Sequence, residues 1–137
     1  MLRSLGAVSH GIIDYLMVII LIIGPAVAGF GATKQAMFCY FLAAVHFVMA
    51  ALTRFPLGVK KIIGFPLHGV IEALVSILLI VLPWIANFAA GVKSRNFFVA
   101  IGVLLGVIAL LTNYRGITSS KISSKTSSKP TSSTKTS

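Results

Sequence analysis

The sequence predicts an all-α membrane protein of four transmembrane helices, arranged as two tandem, parallel-repeat helix hairpins. Three observations carry this expectation. Four apolar runs of near-spanning length fill most of residues 1–115. Charges are few and overwhelmingly basic, and every basic residue lies outside those runs. The first and third runs match each other at a constant offset of 58 residues.

Composition sets the solvent. Of 137 residues, 57% are hydrophobic and only 10% are charged, against about a quarter charged in an ordinary soluble domain. A soluble core of this size has no room for so many apolar side chains, so lipid is the expected partner. The formal charge of +10 would suggest nucleic acid in a soluble protein. Here the bases sit between apolar runs and in the tail, with no aromatic residues interleaved, which argues for a bilayer and against nucleic acid.

The runs cover residues 12–30, 36–52, 67–88 and 97–111. Each is close to the roughly 20 residues that cross the hydrocarbon core. They are expected as helices because a lone strand in lipid leaves its backbone groups unpaired, and none alternates as a barrel strand does. The connections, 31–35, 53–66 and 89–96, are short and make neighbouring helices antiparallel. Arg3 and Ala26-Val27-Ala28 imitate a signal peptide. The length of the run and its likeness to the third run favour a retained first helix. The transmembrane domain is thus residues 1–115. Residues 116–137 form a Ser/Thr/Lys-rich tail that buries almost nothing and is expected to be disordered. The tail is either a plain soluble extension or a weak electrostatic tether to anionic lipid headgroups.

Orientation follows from the positive-inside rule. An inside N-terminus places Arg3, Arg54, Lys60, Lys61, Arg115, Lys121, Lys125, Lys129 and Lys135 on the cytoplasmic side. Lys34, Lys93 and Arg95 lie on the other side. The expectation is a multi-pass protein of the cell (inner) membrane with both termini cytoplasmic.

The internal repeat pairs residues 10–30 with 68–88, with ten of 21 positions identical. Ile and Leu matches arise easily by chance. The specific matches are His10/His68, Gly11/Gly69, Asp14/Glu72 and Pro25/Pro83. Leu52-Thr53-Arg54-Phe55 lines up with Leu111-Thr112-Asn113-Tyr114 at an offset of 59. Copy one runs from about 10 to 57 and copy two from about 68 to 115. Two helices per copy give both the same orientation, about a pseudo-two-fold axis along the membrane normal.

His10, Asp14, Pro25, Phe30, Leu52-Thr53, Leu57-Gly58, His68, Glu72, Leu82-Pro83-Trp84 and Phe88 together resemble the SPW-repeat proteins, small bacterial four-helix membrane proteins named for a Ser-Pro-Trp motif. The resemblance spans about residues 10–114. Leu82 stands where the motif has Ser, and copy one reads Gly24-Pro25-Ala26, leaving Pro as the shared element. The resemblance implies a membrane location and carries over no activity.

Asp14 and Glu72 are the only acids in the chain, and each follows a His by four residues on one helix face. One reading is structural: an acid near a helix N-terminus, bonded to its His, with Pro66 as a helix-starting residue. The other is functional: His10, Asp14, His68 and Glu72 meet across the axis to ligate a divalent metal or relay a proton. His46 is either an interhelix histidine on a face with Ala43, Ala50 and Thr53, or an axial haem ligand paired with another His. Arg54 either snorkels or joins the acids in a polar cluster. Pro25 and Pro83 should bend or end their helices, and Trp84 suits an interface anchor. Gly102-x-x-x-Gly106 permits close approach, within the bundle or in a homo-oligomer. Cys39 is alone, so no intrachain disulfide is available. With no nucleophile elbow, phosphate loop or HExxH, no enzyme and no cofactor are expected. The leading expectation is a non-enzymatic structural or interaction role. The alternatives are a small transporter or channel component, or a metal- or haem-binding protein.

Overall fold

A computed structural model describes residues 5–114. The expectations about Arg3, Arg115 and the tail at 116–137 lie outside those residues. Four helices follow in order: α1 (Ala7–Val27), α2 (Lys34–Leu52), α3 (Phe65–Ile85) and α4 (Val92–Leu111). No strand forms among the described residues; the only β-type pairs are two isolated bridges. Every helix is long and apolar enough to cross a membrane. At about 1.5 Å per residue, 19 to 21 residues match a hydrocarbon core of roughly 30 Å.

Helices α1 and α4 each begin five residues before their apolar runs. Lys93, Ser94 and Arg95 therefore lie in the first turn of α4 instead of a loop. Hydropathy marks only the hydrocarbon segment, whereas backbone hydrogen bonding continues through the interface where basic ends reach the headgroups.

Pro25 and Pro83 are each followed by two more helical residues. Gly29 (φ 79°) and Asn87 (φ 56°) then take left-handed backbone. Phe30 N–H reaches Pro25 O at 2.9 Å and Gly29 N–H reaches Ala26 O at 3.1 Å. Phe88 N–H reaches Pro83 O at 2.8 Å and Asn87 N–H reaches Trp84 O at 3.3 Å. Both ends are Schellman caps, which satisfy the last carbonyls of a helix. Phe30 and Phe88 are thereby turned into the core. Trp84 points outward, 58% exposed.

Helix α1 packs chiefly on α2, and α3 on α4. The buried stripe of α1 includes His10, Gly11, Asp14, Met17, Val18, Leu21 and Pro25. That of α3 includes His68, Gly69, Glu72, Ser76, Leu79 and Pro83. The three-and-four spacing is that of one helix face. The opposite faces expose Ile12, Leu16, Ile19 and Ile23 on α1, and Leu74 and Ile77 on α3. So much exposed apolar surface is stable only against lipid.

The α3–α4 contact is close because Gly102 lacks a side chain. A Cβ there would lie 2.9 Å from Ser76 O and 2.8 Å from Ile80 Cγ1. Ser76 Oγ–H crosses the gap to donate to Gly102 O at 2.7 Å. A Cβ on Gly106 would meet the same hydroxyl at 2.7 Å. Gly102 and Gly106 thus serve contacts inside the bundle. Cys39 is fully buried in the same core.

The helix ends near the two termini are tied crosswise. Leu5 N–H donates to Leu111 O at 3.1 Å, and Asn113 N–H donates to Leu5 O at 3.0 Å. Ile63 N–H donates to Leu52 O at 2.8 Å, and Arg54 N–H donates to Ile63 O at 2.8 Å. The start of α1 is therefore laced to the end of α4, and the start of α3 to the end of α2.

Candidate functional site

This lacing brings the ends of all four helices around one buried polar centre. His10 and Asp14 come from α1, His46 from α2, and His68 and Glu72 from α3. Thr53, Thr112 and Tyr114 come from the segments just beyond α2 and α4. His10, Asp14, His68 and Glu72 are each at most 1% exposed.

The distances are mutual. His10 Nε2 lies 3.4 Å from His68 Nε2, 3.4 Å from Asp14 Oδ1 and 3.5 Å from Glu72 Oε2. His68 Nε2 lies 3.4 Å from Asp14 Oδ2. His46 Nε2 lies 3.5 Å from Asp14 Oδ1. Tyr114 O–H donates to Glu72 Oε2 at 2.8 Å.

The threonines fix the imidazole tautomers. Thr112 donates its hydroxyl proton to Ile108 O at 2.7 Å, and Thr53 donates to Met49 O at 2.6 Å. A hydroxyl has one proton, so each oxygen is left to accept. It accepts from His10 Nδ1–H at 2.9 Å and from His68 Nδ1–H at 2.8 Å. In neutral imidazole the other nitrogen then carries a lone pair. The lone pairs of His10 and His68 face each other and Asp14, and that of His10 also faces Glu72. Asp14 Oδ1 and Oδ2, Glu72 Oε1 and His46 Nε2 are buried without a hydrogen-bond partner among the described residues.

Aromatic rings close the centre toward the termini. Phe65 and Tyr114 lie 5.4 Å and 5.5 Å from the His10 ring, edge to face, and Phe55 packs near His68 at 6.5 Å. Gly11 and Gly69 make space for two of them. A Cβ on Gly11 would collide with the Phe55 ring, and one on Gly69 would lie 2.5 Å from Tyr114 Cζ. The Tyr114 phenol is held well above its usual range, first by burial and then by the adjacent Glu72 charge. Toward the middle of the bundle the centre meets Met17, Leu21, Leu79 and Leu105.

The polar cluster drawn from sequence changes in one member. Arg54 is exposed, and its Nε donates to Lys61 O at 2.7 Å. Its backbone joins the crosswise tie, and that geometry aims its side chain outward. Among the described residues, no Lys or Arg pairs with Asp14 or Glu72. The partly open cavity that reaches His46, between α2 and α3, holds about 30 Å³, room for one or two waters.

Thr53, Thr112 and Tyr114 were not among the sequence-predicted site residues. Their signal was the Leu-Thr match at an offset of 59, which placed equivalent hydroxyls at the ends of two helices.

Fold and surface define a multi-pass α-helical membrane protein with a buried histidine–carboxylate centre. Comparison with protein-family models, curated proteins and solved structures gave no match for the chain.

Proposed function

We propose that this is a non-enzymatic membrane protein whose function is to bind a cation, a proton or a metal ion, at the centre formed by His10, Asp14, His46, His68 and Glu72. One observation carries the reading: acceptors converge there with too few donors. Two histidine lone pairs and two carboxylates share the space, and Tyr114 supplies one proton to Glu72. Buried charge without compensation costs several kcal/mol. Acids in membrane segments are costly and tend to mark ion or proton sites. A bound cation removes the conflict, whereas a structural role alone would favour neutral donor–acceptor pairs.

The twelve basic residues support cytoplasmic termini, by the nine-to-three distribution across the loops and tail. On that reading the centre lies near the cytoplasmic face of the cell membrane. The SPW-repeat resemblance supports the membrane assignment and the pseudo-two-fold relation between the copies.

Infrared carboxyl bands of purified protein, followed across pH, report protonation of Asp14 and Glu72. Calorimetric titration with divalent cations reports metal. The wild type should show one or the other, and the double variant Asp14→Asn, Glu72→Gln neither. Two carboxylates that stay ionised throughout, in a protein that binds no cation, would sink the proposal. A C-terminal periplasmic reporter with strong activity would overturn the topology.

A further inference from the structure

We propose that His10, His68 and Asp14 form a site for one divalent first-row transition-metal ion, oriented by Thr112 and Thr53. The inference rests on the cation-binding reading above and names its ligand.

Ligand atoms of the three residues lie within 4.8 Å of one another and all three side chains are buried. Their spacing is compatible with a metal ion held between them. A proton between two of these groups draws them to roughly 2.7–2.9 Å. Atoms bound tetrahedrally at 2.0–2.1 Å stand roughly 3.3–3.4 Å apart. The nitrogen–nitrogen separation is 3.4 Å, and each nitrogen lies 3.4 Å from a different oxygen of the Asp14 carboxylate, His10 from Oδ1 and His68 from Oδ2, so the carboxylate bridges the two imidazoles.

The surroundings match what a metal histidine needs. The nitrogen away from the metal donates to an acceptor that sets tautomer and ring orientation. Thr112 and Thr53 do this for His10 and His68, and each threonine is itself fixed to a helix carbonyl. Asp14 Oδ1 also faces His46 Nε2 at 3.5 Å. Two imidazoles with a carboxylate suit zinc and its neighbours better than calcium or magnesium, which prefer all-oxygen shells. Three protein ligands leave a fourth position. Glu72 Oε2 flanks it, held by Tyr114.

The test uses full-length protein in detergent, stripped with chelator and titrated with cobalt(II), then with zinc(II). We expect one cobalt per chain, with visible absorption of tetrahedral intensity that zinc abolishes. Asp14→Asn should weaken binding at least about tenfold. Thr53→Val and Thr112→Val, which keep every ligand, should each weaken it by about 10- to 100-fold. Circular dichroism and gel filtration establish that each variant is folded. Folded wild type that binds no cobalt, or binds it with only weak octahedral absorption, would overturn the metal site, as would threonine variants of unchanged affinity. If carboxyl protonation is seen without metal binding, the cation-binding reading stands and this one fails. If neither is seen, both fail.

Discussion

His10 and His68 face each other Nε2 to Nε2 at 3.4 Å, and each is held by a threonine at the end of another helix. His10 takes Thr112, 102 residues away. His68 takes Thr53, at the end of the preceding helix. The same crossed pairing ties Leu5 to Thr112 and Ile63 to Thr53 through the backbone. Side-chain and main-chain bonds therefore close the bundle at one end and present both lone pairs to one point.

Asp14→Asn places an amide donor among unsatisfied acceptors. In cation-free protein it should raise stability at neutral pH by about 1–3 kcal/mol, the scale of relieving an unpaired buried group. Glu72→Gln should act in the same direction but less, because Tyr114 already donates to Glu72. The double variant should be non-additive, since the two carboxylates share His10. Reversible unfolding in mixed micelles measures all three. Additive losses of stability would show that the carboxylates are already compensated.

Gly102→Ala should destabilise more than Gly106→Ala. At Gly102 the new methyl meets the backbone oxygen of Ser76, which cannot step aside. At Gly106 it meets the Ser76 hydroxyl, which can rotate at the cost of its bond to Gly102 O. Overpacking of this kind costs about 1–3 kcal/mol, and the lost hydrogen bond about 1 kcal/mol. The same unfolding measurement ranks the two, and a reversed order would contradict the packing.

Asn87→Gly should be neutral or slightly stabilising, whereas Gly29→Val should destabilise by about 1–2 kcal/mol. Both positions need left-handed backbone, which glycine adopts freely and a β-branched residue resists. Thermal melts followed by circular dichroism decide the sign at each site.

Tyr114 should remain un-ionised in alkali while its pKa in the unfolded chain stays near about 10. Burial and then Glu72 raise it in the fold. Above that pH the unfolded chain releases a proton that the folded protein keeps. Folding stability should therefore fall as pH rises, and Tyr114→Phe should remove that part of the slope. Phenolate absorbance provides the check: the wild type and Tyr114→Phe should give equal signals while folded. A smaller signal in the variant would mean that Tyr114 titrates normally.

Four spans and their approximate limits were legible in the sequence, as was the match of His10 with His68 and of Asp14 with Glu72. Hydropathy over some 20 residues follows directly from bilayer thickness, and a repeated pattern of His, Gly, acid and Pro survives any uncertainty in the apolar matches. The helix starts were less legible, because Lys93 and Arg95 are polar by composition and helical by hydrogen bonding. Tertiary structure alone decided the partners. Arg54, the charge that composition offers to the acids, bonds Lys61 O outside the cluster. His46, which lies outside the matched His–acid pairs, meets Asp14. Thr112 reaches His10 across 102 residues. Periodicity fixes which side of a helix a residue occupies. What it faces there depends on how the helices are arranged around one another, and here the crossed ties at Leu5 and Ile63 set that arrangement.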